Sequence, residues 1–212
     1  MLGRAQLAQQ LVDDAMGSFI KANDATEYLG VINAADAAGA HAGLVAYLQK
    51  CRKKVKEAHI DTSLIYAYCK TSDYAKLEEF ISAPNVGRIQ DVAERCYSEA
   101  MYEAAKILFN SISNFSRLAT CLMHLGEHQA AVDAARKANS TRTWKEVNAA
   151  CVEHKEFRLA QICALHIIVN PDELDELIAS YERHGHFDEV MAVMEAGLSL
   201  ERAHMGIFTE LG

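Results

Sequence analysis

One pattern recurs along the 212-residue chain and limits what it can fold into. A bulky ring is followed three residues later by Ala, Leu or Val, and six and seven residues later by two more apolar side chains. His41, Tyr74, Tyr102, His128, Phe157 and Phe187 begin these runs, 26 to 33 residues apart. Their partners are Leu44, Leu77, Ala105, Ala131, Ala160 and Val190. The pairs six and seven residues on are Tyr47-Leu48, Phe80-Ile81, Leu108-Phe109, Ala134-Ala135, Cys163-Ala164 and Val193-Met194. Such spacing is one face of a helix. A period near 30 leaves room for a second helix and two turns. Each unit therefore reads as a helix hairpin that needs its neighbours to cover its apolar face.

Punctuation agrees with this reading. Asp24-Ala-Thr-Glu27 and Thr143-Trp-Lys-Glu146 have the form of capping boxes, the first with Asp in the cap role. Asn170-Pro171-Asp172-Glu173 supplies a cap, then proline at the first helical position, then two acids in the first turn. Pro84-Asn85 separates two further helices, and Gly39, Gly126 and Gly185 fall where helices should stop. Ala104-Ala105, Ala130-Ala131 and Ala134-Ala135 allow close helix approach. The segment 162–169 reads as the end of the helix begun near Phe157 and not as a strand. The expected fold is all-α, a right-handed α-α superhelix or solenoid of stacked short hairpins, a helical zigzag. It has about fourteen helices in about seven hairpins. Residues 1–212 are expected to form one continuous segment of a longer array. Phe208-Thr-Glu-Leu211 reads as a helix still in progress.

Two prolines in the whole chain suit long runs of helix, and a 50% hydrophobic content is ample for a core. The net charge of −8 argues against nucleic acid as a partner, because that needs a basic footprint. The one basic run, Arg52-Lys53-Lys54-Val55-Lys56, reads as a solvated helix C-terminus that complements the dipole. Six cysteines occur without a CxxC pair, in apolar stretches where free Cys acts as a small hydrophobe. They point to a reducing compartment. Met1-Leu2-Gly3-Arg4 opens no signal peptide, and no apolar run is long enough for membrane insertion.

His124-Leu-Gly-Glu-His128 matches an inverted-zincin motif, H-x-x-E-H. That chemistry needs both histidines on one continuous helix. Gly126 lies between them at an expected turn, and His128 fills the ring position that Tyr102 and Phe157 fill elsewhere. It is read as a packing residue. His184-Gly-His186 reads as a turn, and Cys151 with His154 reads as an ordinary helix face lacking an orienting third group. No phosphate-binding loop or nucleophile elbow is present. No catalytic residue, metal site or cofactor is expected, and the chain is read as no enzyme. Arg136, Lys137, Arg142 and Lys145, with Trp144, surround the Asn139-Ser140-Thr141 turn. They form a local basic set that could dock an acidic helix.

Longer strings carry a specific resemblance. Lys137-Ala-Asn-Ser-Thr-Arg-Thr-Trp-Lys-Glu146, Lys155-Glu-Phe-Arg-Leu-Ala-Gln-Ile-Cys163 and the run from Leu200 to Leu211 resemble the clathrin heavy-chain family. So do Glu78-Glu79-Phe80-Ile81 with Pro84-Asn85, and the run from Arg95 to Ala105. The resemblance spans essentially the whole chain and implies a proximal-leg segment. It implies a structural scaffold of vesicle coats with clathrin light chains and other heavy chains as partners. Trimerisation and lattice contacts would belong to the full-length protein, and this segment alone would be monomeric. It also implies a cytoplasmic location, on the cytoplasmic face of coated pits and coated vesicles. The residues from 1 to 50, with Ala34-Ala35-Asp36-Ala37-Ala38, are richer in alanine than the family's pattern. The competing reading is a tetratricopeptide-like adaptor solenoid that binds peptides; its full signature is not met, and the period drifts.

Overall fold

The computed structural model describes residues 2–198, and among these every regular element is helical. The chain divides into two compact units, residues 1–112 and 113–212. The first holds α1 (Leu2–Ala8), α2 (Val12–Ala22), α3 (Tyr28–Ala38), α4 (His41–Arg52), α5 (Ala58–Lys70), α6 (Tyr74–Ser82), α7 (Ile89–Ser98) and α8 (Tyr102–Ser111). The second holds α9 (Phe115–His124), α10 (His128–Ala138), α11 (Thr141–Glu153), α12 (Phe157–Ile167), a 3-10 turn (Pro171–Glu173), α13 (Leu174–Arg183) and α14 (Phe187–Leu198). The expected helix at 208–211 lies outside the described residues.

All six rings open a helix: α4, α6, α8, α10, α12 and α14. Every i+3 partner is buried. So are the pairs at i+6 and i+7, except Phe80-Ile81, which is half-buried. Within each unit helices pack on the next, α6 on α7 excepted, and several pack on the next but one. The pairs α2–α4, α3–α5, α5–α7 and α6–α8 do so in the first unit, and α9–α11, α10–α12 and α12–α14 in the second. This stacking of hairpins is the solenoid pattern, in which each layer is completed by its neighbours.

One turn is repeated before each ring. The residue two positions ahead of the ring has positive φ: Gly39, Ser72, Ala100, Gly126, Lys155 and Gly185. The residue just ahead of the ring donates its N–H to the carbonyl five positions earlier. These bonds are Ala40 to Ala35, Asp73 to Tyr68, Met101 to Cys96, Glu127 to Leu122, Glu156 to Cys151 and His186 to Tyr181, all 2.8–3.1 Å. This is the Schellman closure, which satisfies otherwise orphaned end carbonyls and turns the chain sharply.

Two expected capping boxes are not formed. Thr143 lies inside α11, because that helix already starts at Thr141 behind Ser140; its hydroxyl bonds Ser116 at 2.9 Å. Asp24 instead closes an Asx turn on Thr26 (N–H 2.9 Å, hydroxyl 2.7 Å), and α3 starts only at Tyr28. The Asn170 cap does form, accepting from the Asp172 N–H at 3.3 Å with Pro171 beginning the 3-10 turn. The six cysteines are free and buried. The Cys69 thiol is raised by its hydrogen bond to Cys96 and by burial, and Cys163 likewise by Cys151 and burial. Such thiols pack as hydrophobes and are poor nucleophiles.

Candidate docking site

The basic turn joins α10 to α11. Asn139 takes the left-handed conformation there (φ 47°) and its N–H bonds the Ala135 carbonyl, which ends α10. Extended Ser140 then starts α11. Arg136, Lys137 and Arg142 are exposed around this turn. Arg136 pairs with Asp133 at 3.3 Å, and Arg142 with Glu146 at 2.9 Å, each on its own helix. The Lys137 ammonium lies 5.4 Å from the centre of the Phe115 ring. Exposed pairs one turn apart hold little energy, so these cations can exchange partners at small cost.

The other two residues of the set sit differently. Trp144 is 4% exposed and stacks on His166, with ring centres 4.2 Å apart and planes 7° from parallel. It belongs to the core between α11 and α12. Lys145 reaches α13 and the turn before it, bonding Glu173 at 2.6 Å and also Glu176. Those hydrogen bonds raise its pKa. The sequence places these five residues together; the fold leaves three of them on the surface, and uses Trp144 for packing and Lys145 as a tie between hairpins. Trp144 stands three and seven residues ahead of Val147 and Cys151 on the buried face of α11, which is the signal that separates it from its basic neighbours.

The histidine motifs do not assemble metal sites. His124 ends α9 and His128 begins α10, with Gly126 (φ 74°) turning the chain between them. The His128 ring instead meets His154 edge-on at 4.8 Å. His186 packs edge-on against Phe157 at 4.9 Å, and His184 has Nδ1 2.7 Å from the Ser180 carbonyl oxygen. Cys151 is buried against Cys163, while exposed His154 has Nδ1 2.8 Å from the Ala150 carbonyl oxygen. Among the described residues no three His, Cys, Asp or Glu side chains gather as a metal site. No described helix is long and apolar enough to cross a membrane.

The basic run after α4 is only partly a solvated helix end. Lys53, Lys54 and Lys56 are exposed, but Arg52 turns inward to Asp61 at 2.8 Å and stacks on Phe80 at 4.6 Å.

The family described as a region in clathrin and VPS proteins matches residues 19–159. Clathrin heavy chains of Drosophila melanogaster and Dictyostelium discoideum are 56% and 55% identical over 210 residues, 99% of this chain. Clathrin heavy chain 1 of Arabidopsis thaliana is 54% identical over 211 residues. The chain spans 12% of the length of each of these relatives.

Proposed function

The chain belongs to the clathrin heavy-chain family, and on that premise we propose that it serves as a leg segment of a coat scaffold in vesicle transport and endocytosis. The observation that carries this reading is identity above half across nearly all of the chain, whose described residues form stacked hairpins. A scaffold needs no catalytic group, and the role is read as non-enzymatic. Each hairpin is finished by its neighbours, so load on one layer passes to the next through a shared core. The segment is placed at the cytoplasmic face of coated pits and vesicles. Neighbouring heavy chains would meet it through many weak polar contacts. Each contributes about 0–1 kcal/mol, so the lattice can hold in sum and still come apart.

A light chain is the proposed direct partner, docking on the basic turn through Arg136, Lys137 and Arg142. Their exposure and exchangeable pairing support this. The test is calorimetric titration of the chain with the central helix of a clathrin light chain. One-to-one binding weakened at least fivefold by Lys137→Glu is expected. Lys145→Glu should act instead through lost stability, because its partners Glu173 and Glu176 are internal. Binding indifferent to Lys137→Glu and Arg142→Glu together would move the docking site elsewhere on the scaffold.

A further inference from the structure

We propose that the groove between α4 and α6 is a second docking site, for a short acidic segment of a partner protein carrying one bulky apolar side chain. The site lies in the first unit and is independent of the basic turn. It begins as a break in the repeat. The helices α2 and α4 pack together, as do α6 and α8, but α4 and α6 do not pack closely. After α6 there is no Schellman turn. Ala83 is extended (ψ 157°), Pro84 follows, and the chain does not resume a helix until Ile89. The pair Phe80-Ile81, whose counterparts are buried in the other five repeats, is left half-exposed.

The space so opened is a groove of about 770 Å³, open to solvent. Its lining includes buried Leu64 and Tyr68 of α5, half-buried Phe80 of α6, and Val86. Val86 is 54% exposed. The walls are held in place by a buried carboxylate. Asp61, 3% exposed, accepts from Arg52 Nε at 2.8 Å and from the Val86 N–H at 2.9 Å. Arg52 also donates to the Pro84 carbonyl at 2.7 Å and lies over the Phe80 ring. Gln49 Nε2 donates to the Tyr68 hydroxyl at 2.8 Å, and the Tyr68 and Phe80 rings stand 6.0 Å apart, tilted. A groove with fixed walls loses little ordering entropy on binding.

Charge selects the occupant. Arg52, Lys53 and Lys56 line the groove against one carboxylate, Asp61, which Arg52 already neutralises. Lys53 and Lys56 are exposed on a chain whose net charge is −8. A locally positive rim on an acidic protein attracts acidic partners. The half-buried Phe80 ring and exposed Val86 supply the apolar contact that such a residue would cover.

The test uses the full 212-residue chain and a fluorescein-labelled acidic heptapeptide with a central tryptophan, read by fluorescence anisotropy. Saturable binding on the order of 10–100 µM is expected. Lys53→Glu with Lys56→Glu should weaken it at least about tenfold, Val86→Asp at least about fivefold, and replacing the peptide's tryptophan by alanine about fivefold. The substituted side chains are exposed, so circular dichroism should show the fold retained. Light-chain binding should be unchanged by the same variants, which separates this site from the basic turn. The proposal is overturned by absence of saturation up to about 1 mM, or by equal affinity in the folded double variant. It is also overturned if the alanine peptide binds equally well, or if a single-stranded oligonucleotide displaces the peptide at the same concentration, since either means simple polyanion attraction.

Discussion

Asn148 ties three helices together, and removing it tests how the hairpins are locked. It is 3% exposed on α11, and its Nδ2 donates to the Ala160 carbonyl of α12 at 2.8 Å and to the Tyr181 hydroxyl of α13 at 2.9 Å. Tyr181 is itself 1% exposed. Asn148→Ala deletes two buried hydrogen bonds of about 1 kcal/mol each and leaves a buried hydroxyl unpaired, about 1 kcal/mol more. The expected loss is about 3 kcal/mol, or about 9 °C in Tm for a chain of this size. Tyr181→Phe deletes one bond and orphans one amide hydrogen, for about 1.5 kcal/mol. In the double variant the orphans vanish together, so its loss should be about 1–2 kcal/mol smaller than the sum of the two. Trp144 is the chain's single tryptophan and lies on the same helix as Asn148. Its fluorescence during urea unfolding therefore reports the second unit directly. A loss below about 1 kcal/mol for Asn148→Ala, or simple additivity in the double variant, would refute the argument that this amide locks adjacent hairpins.

Three further outcomes follow from single residues. Ala100 holds a left-handed φ of 58° in its Schellman turn, so Ala100→Gly should stabilise by up to about 1 kcal/mol, seen as a rise of about 2–3 °C in the melt followed by circular dichroism. The Tyr47 hydroxyl is buried with no oxygen or nitrogen partner, and burial pushes its pKa up, so Tyr47→Phe should be neutral or stabilising by about 1 kcal/mol in urea titration. Glu99 is partly desolvated, which raises its pKa, but hydrogen bonds from Lys70, Tyr66 and Arg95 prevail and hold it at about 2. Its stabilising effect is present above the ordinary carboxylate value of 4.5 and is lost as pH falls from there toward 2. With solvent screening at a site 31% exposed, the effect is about 1 kcal/mol; Glu99→Gln should flatten the Tm decline over that window, and an unchanged decline would remove Glu99 as its source.

The repeat was legible because burial enforces it. Each ring begins a helix and each i+3 partner is buried, so ring spacing alone locates six helix starts. The turns were half legible. Gly39, Gly126 and Gly185 announce a left-handed residue, whereas Ser72, Ala100 and Lys155 adopt the same conformation without a glycine to signal it. There the surrounding helices impose the φ, and no local propensity predicts it. Capping motifs misled for a related reason: Ser140 and Thr143 are both plausible caps three residues apart, and only packing decides between them. The basic turn was legible as charge but not as exposure, since Lys145 differs from Arg142 mainly by its angle around α11.

A stack of this kind gains its stiffness from repetition, so its departures from repetition are where partners can act. Five of the six ring-bearing helices bury both positions at i+6 and i+7; α6 buries neither. It is also the shortest of the six, nine residues, and Leu77 is its one fully buried side chain. A helix so lightly held would fray if nothing else fixed its end. Asp61 does that from α5, by gripping both the end of α4 through Arg52 and the loop beyond α6 through the Val86 N–H. A carboxylate with two such partners is costly to bury and costly to remove, and a layer that lacked it could instead have closed with apolar side chains, as the other layers do. Keeping a charged pair at this one layer leaves Phe80 half-buried and Val86 exposed beside exposed lysines. That arrangement adds little to the stack itself and matches what an incoming acidic segment requires.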